Sequence, residues 1–128
     1  MDLNSFAKEH GIKLIMLFGS RARGTEGANS DADIAVLANR ELSLGEQSVL
    51  VERLCAVVKT PEDKIDLVDL WNASPLLQHQ VGEEGKLLYG DPFDFIRFRV
   101  LAWKRYQNTA KFRRARHETL KEYVQGND

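Results

Sequence analysis

One stretch limits what this chain can become: residues 19–33, GSRARGTEGANSDAD, set between two apolar runs. The run ahead of it, IKLIMLF at residues 12–18, suits a buried strand, and IAVL at residues 34–37 continues a strand that carries two aspartates. The pattern is a strand, a Gly-Ser turn, a short basic segment, a polar loop and a second strand with paired carboxylates. Strand side chains alternate between faces, so Asp31 and Asp33 point one way while Ile34 and Val36 point the other, into a core.

That pairing of residue types has a chemical reading. Two carboxylates side by side repel and resist ionisation. Mg²⁺ reverses this, and it is held by one or two carboxylates together with phosphate oxygens. Gly19 permits a tight turn and a close backbone approach. Ser20 can open a helix whose unbonded N–H groups attract phosphate, and Arg21 and Arg23 can add charge-assisted contacts to the same group. Either half alone says little, since Gly-Ser is a common turn pair and Asp-x-Asp often marks a solvated loop. Joined through two apolar strands, they point to a triphosphate held on metal ions.

Gly19-Ser20, residues 21–30 and Asp31-Ala32-Asp33 together resemble the signature of the nucleotidyltransferase superfamily that includes DNA polymerase beta. The fuller string GSRARG…SDADIAV is similar to the minimal nucleotidyltransferase (MNT) family, short stand-alone domains of which many are antitoxins paired with a HEPN-domain ribonuclease. The resemblance spans residues 12–89. It implies a nucleotidyltransferase fold, ATP as substrate, two Mg²⁺ ions, and transfer of AMP to a hydroxyl, expected to be a tyrosine of a HEPN toxin that is thereby neutralised. It also implies roles for residues. Asp31 and Asp33 would hold the metals, Gly19 and Ser20 the terminal phosphates, and Arg21 or Arg23 the pyrophosphate, with Ser30 among the nucleotide-binding positions.

Family members carry a third strand-borne aspartate that helps bind the catalytic metal and accepts the proton of the attacking hydroxyl, and Asp66 aligns with it. The residues themselves make Asp66 notable, because aspartate is depleted in strands and this one lies among Ile65, Leu67 and Val68. A water-facing edge position is the plain alternative. Asp69 is the rival carboxylate, on the wrong strand parity unless a bulge intervenes. Two other functions stay open: nucleotidyl transfer to a small molecule, disfavoured by the lack of an acceptor-binding domain, and a non-catalytic antitoxin that acts by binding alone, disfavoured by the intact motif.

The rest of the chain bounds these readings. Its 128 residues suit one α/β domain with a real core, and its net charge of −1 argues against direct nucleic-acid binding by the whole chain. A single cysteine, Cys55, fits a reducing cytosol and reads as a small buried hydrophobe. Neither a signal peptide nor an apolar run of membrane-spanning length is visible, so a cytoplasmic protein without a membrane partner is expected. The expected fold is a small mixed β-sheet with helices on one side, a nucleotidyltransferase core over residues 1–90 and a C-terminal helix over residues 91–128.

Helices are expected over residues 2–10, 20–23, 44–59 and 75–83, and strands over 12–18, 31–37, 64–70 and 86–89. Leu44, Val51, Leu54, Cys55 and Val58 form the expected apolar stripe of the third helix, and Leu76, Leu77 and Val81 that of the fourth. His79 reads as a surface residue and Tyr89 as a core tyrosine. The last helix carries Phe93, Phe95, Ile96, Phe98, Val100, Leu101 and Trp103, more than one core-facing stripe requires, and then a basic half with Lys104, Arg105, Lys111, Arg113, Arg114 and Arg116. An excess of this kind fits docking of the partner protein, with packing on the domain's own core or in a homodimer as the plain alternative.

Overall fold

A computed structural model describes residues 2–24 and 31–126. The elements run α1 (Leu3–Glu9), β1 (Ile12–Phe18), α2 (Gly19–Arg23), β2 (Ala32–Ala38), α3 (Leu44–Val58), β3 (Ile65–Asp69), α4 (Pro75–Glu84), β4 (Lys86–Tyr89) and α5 (Pro92–Gly126). Their boundaries follow local chemistry. Ser43 and Glu46 close a reciprocal capping box that starts α3, and Lys59 ends it in the left-handed conformation at φ 53°. Ser74 caps α4 and Pro75 takes its first turn, where its missing N–H costs nothing.

Among the described residues the strands form one mixed sheet in the order β3-β2-β1-β4. β1 pairs antiparallel with β2 and β4, whereas β2 and β3 run parallel and are joined across α3, the crossover that parallel strands need. Both faces are covered, which widens the one-sided arrangement expected from sequence. Phe6, Ile15, Ile34, Val36, Leu50 and Leu54 pack under α1 and α3 on one face. Leu14, Met16, Phe18, Val81, Phe98 and Ala102 pack under α4 and the first half of α5 on the other. The cause is visible in β1, where neighbours Leu14 and Ile15 point to opposite faces and both are buried.

Two core assignments need correction. Leu44 is 84% exposed, because the sheet-facing stripe of α3 is centred on Leu50 and Leu54. Ten residues at 100° each leave Leu44 about 80° round the helix from Leu54. Leu76 is likewise exposed, and Val81 anchors α4 instead. His79 is half-buried rather than a surface residue, stacked on Tyr106 with ring centroids 4.4 Å apart. Tyr89 packs at the edge of the first core, as expected. Cys55 is a free, half-buried thiol that donates to the Val51 carbonyl, and burial pushes its pKa up, away from nucleophile character. No helix among the described residues is long and apolar enough to cross a membrane.

Candidate active site

The sheet register builds the site. Phe18 at the end of β1 lies opposite Asp33 on β2, and Asp33 pairs in turn with Asp66 on β3. Residues in register on parallel strands project to the same face, with strands about 4.8 Å apart. Ala32 and Ile34 belong to the core under α3, so Asp33 and Asp66 project to the opposite face, the one covered by α4. Asp33 is half-buried and Asp66 exposed, which leaves the second carboxylate open to a ligand. Asp31 is exposed immediately ahead of β2, two residues from Asp33 and therefore of like parity.

Gly19 is the neighbour that explains the glycine of the motif. It is buried, adopts φ +75°, and a Cβ there would lie 2.3 Å from Oδ2 of Asp33. Only a residue without a side chain reconciles the left-handed backbone with that carboxylate. Ser20 follows in the first turn of α2, half-buried. Arg21 extends its guanidinium to the Thr60 hydroxyl, which itself donates to the Val58 carbonyl at 2.9 Å. Thr60 is buried, so this contact ties α2 to the end of α3. Arg23 closes α2, and Ser30 lies outside the described residues.

Asp69 is used up locally. Its Oδ1 accepts from the Trp71 amide at 3.0 Å and its Oδ2 from the Leu42 amide at 2.9 Å. It pairs in register with Val36, which places it on the face away from Asp33. Sequence reasoning did miss one carboxylate, Glu84. This last residue of α4 accepts a hydrogen bond at Oε2 from the Gly19 amide, 3.2 Å, across 65 positions of chain. No local pattern marks it, since at the end of α4 it reads as an ordinary polar terminus.

The donor chemistry suits a hard cation. Asp31, Asp33 and Asp66 offer carboxylate oxygens only, the ligand type Mg²⁺ prefers. Among the described residues no three His, Cys, Asp or Glu side chains converge to hold an ion unaided. A carboxylate pair completed by phosphate oxygens is the usual Mg²⁺ arrangement, so the residues fit an ion that arrives with a nucleotide.

A second surface lies on α5. Phe98 and Ala102 face the core, while Phe93, Ile96, Val100 and Trp103 stand exposed at steps of three and four residues. A groove of about 420 Å³ beside them is lined by Glu83, Ile96, Arg99, Val100 and Trp103. Beyond Tyr106 the helix is mostly solvent-facing, with Arg113 over the Tyr106 ring at 5.2 Å.

Comparison with known proteins adds independent findings. Residues 2–93 match the polymerase beta nucleotidyltransferase family. The protein adenylyltransferase MntA of Aphanizomenon flos-aquae (strain 2012/KM1/D3) is 40% identical over 111 residues, covering 79% of this chain and 74% of the relative. A crystal structure of a toxin–antitoxin with AMP-PNP superposes with a TM-score of 0.71 at 34% identity, covering 91% of this chain and 94% of that one. A tri-AMPylated Shewanella oneidensis HEPN toxin in complex with its MNT antitoxin contains a chain that matches with a TM-score of 0.65 at 31% identity, covering 91% of each.

Proposed function

Because the chain belongs to the polymerase beta nucleotidyltransferase family, we propose that it is an MntA-like antitoxin that transfers AMP from ATP to a tyrosine hydroxyl of a HEPN-type ribonuclease toxin in the cytoplasm. The observation that carries this is the pairing of Asp33 with Asp66 on one sheet face, with Gly19 packed against the Asp33 carboxylate. The bond that forms joins the hydroxyl oxygen to the α-phosphorus of ATP. The bond that breaks releases pyrophosphate.

In this reading Asp31, Asp33 and Asp66 would hold two Mg²⁺ ions, whose chemistry is to neutralise phosphate charge and polarise the reacting phosphoryl group. Asp66, exposed beside the half-buried Asp33, takes the proton of the attacking hydroxyl. Gly19 makes the tight turn, and Ser20 holds the terminal phosphates through its amide and hydroxyl donors. Arg21 anchors that turn on Thr60, and Arg23 and Ser30 complete the nucleotide contacts. The acceptor arrives on the partner, seated along the exposed stripe of α5. The core of residues 1–90 thus performs transfer and residues 91–128 serve docking. AMP-PNP in a related toxin–antitoxin crystal and AMP on a related toxin support the nucleotide and the acceptor.

Incubation of the chain with labelled ATP, Mg²⁺ and a HEPN-type ribonuclease toxin tests the proposal. Label on the partner, lost when Asp33 is replaced by Asn, is the expected result. An unlabelled partner whose ribonuclease activity is still suppressed would replace transfer by inhibition through binding alone.

A further inference from the structure

The Gly19 turn is held from two sides, and only one side belongs to the motif. On the β2 side the Asp33 carboxylate lies against the Gly19 α-carbon. On the other side, where Lys86 of β4 pairs with Leu17, the Glu84 carboxylate accepts the Gly19 amide at 3.2 Å. Glu84 is fixed in place by what surrounds it. It ends α4, whose Val81 is fully buried, and the next residue, Gly85, returns its own amide to the Val81 carbonyl at 2.7 Å. A side chain at Gly85 would meet that carbonyl at 2.4 Å, so the chain closes tightly just behind the carboxylate.

We infer that Glu84 is a positioning residue for nucleotide binding. Its carboxylate fixes the plane of the peptide that enters Gly19, and with it the left-handed turn that lies against the Asp33 carboxylate and leads into Ser20. A buried N–H with no acceptor is costly, and a glycine turn without a second anchor samples other conformations. The carboxylate therefore selects, before ATP arrives, the one turn geometry that can receive phosphate. This assignment rests on the nucleotidyltransferase reading above, and its test separates the two.

The variants are Glu84→Ala, which removes the acceptor, and Glu84→Gln, which keeps an oxygen at the same reach. The first readout needs no ligand: hydrogen exchange of the Gly19 amide in the chain without nucleotide or metal. Exchange about tenfold faster in Glu84→Ala, with protection restored in Glu84→Gln, is expected for loss of one charge-assisted bond. The second readout is AMP transfer to the partner. Glu84→Ala should raise the KM for ATP about tenfold with kcat little changed, and Glu84→Gln should recover most of it. Unaltered Gly19 exchange in Glu84→Ala overturns the inference, and so does a glutamine variant as impaired as the alanine. A lowered KM in Glu84→Ala also overturns it, by showing that the carboxylate competes with phosphate. Should the exchange pattern hold while the wild-type chain binds no ATP, the clamp stands and the proposed function falls.

Discussion

Replacing Gly19 by alanine puts the most weight on the geometry. The added Cβ would lie 2.3 Å from Oδ2 of Asp33, 3.2 Å from its Cγ and 3.4 Å from its Cβ, on a backbone at φ +75°. Two costs follow. The left-handed backbone costs an alanine about 1–2 kcal/mol. Relief of the clash requires the Asp33 side chain to leave its rotamer, about 0.5–1.5 kcal/mol more. At roughly 4 °C per kcal/mol for a domain of this size, the melting temperature should fall by about 6–14 °C. The two costs can be separated, because only the second depends on the carboxylate. In an Asp33→Ala background the contact at 3.4 Å is ordinary, so Gly19→Ala should there cost only its backbone strain. A double-mutant cycle by chemical denaturation, at constant m-value, should give a favourable coupling of about 0.5–1.5 kcal/mol. AMP transfer should be lost in Gly19→Ala even at temperatures where it is fully folded. A coupling of zero would refute the close approach of Gly19 to Asp33, and normal transfer by the folded single variant would refute its part in the site.

Other perturbations address separate parts of the molecule. Asp66→Asn should abolish transfer with stability within about 0.5 kcal/mol, since the side chain is exposed, whereas Asp69→Ala should keep transfer and lose about 1–3 kcal/mol with its two backbone amide partners; activity assays and melts on both variants decide between them. Glu46 is held well below the usual carboxylate range, first by the Arg40 guanidinium, then by the Ser43 amide and by His10. A depressed folded-state pKa contributes stability that is complete above the ordinary value of about 4.3 and lost as pH falls below it. Glu46→Gln should thus cost about 1 kcal/mol at pH 7, and a melt series should show its gap to wild type closing under acid; a gap independent of pH would contradict the ion pair. The double substitution Val100→Asp and Trp103→Asp should leave ATP binding and the melt nearly unchanged but reduce partner modification at least tenfold, and undiminished modification would move the docking surface off α5.

How much of this was legible in the chain depended on the range over which each feature is encoded. β1 and β4 coincide with their apolar runs, residues 12–18 and 86–89, because a short apolar run bounded by polar or glycine residues marks a buried strand locally. Asp66 and Asp69 fall on opposite faces, as their strand parity requires, because the β2–β3 ladder runs unbroken from Ala32↔Ile65 to Val36↔Asp69, with no bulge to exchange the faces. The sided arrangement of helices was less visible, since a continuous apolar run such as IKLIMLF does not say that alternate residues serve two different cores. Pairings over long separations left no local trace at all. Arg21 finds Thr60 across 39 positions and Glu84 finds Gly19 across 65, and the sequence around Thr60 or Glu84 does not depart from that of an ordinary surface residue.

The motif therefore supplies the candidate reactive groups while the register supplies their meeting. Asp33 faces Asp66 only because α3 returns the chain in a parallel crossover, and it faces Gly19 only because β1 ends opposite it at Phe18. Shifting either ladder by one residue would turn Asp33 into the core under α3, where an unpaired carboxylate is untenable. Burial of Ile34 and Val36 beneath Leu50 and Leu54 is thus what holds Asp33 and Asp66 toward the opposite face, the proposed nucleotide face. Core residues with no chemistry of their own fix the geometry on which transfer would depend.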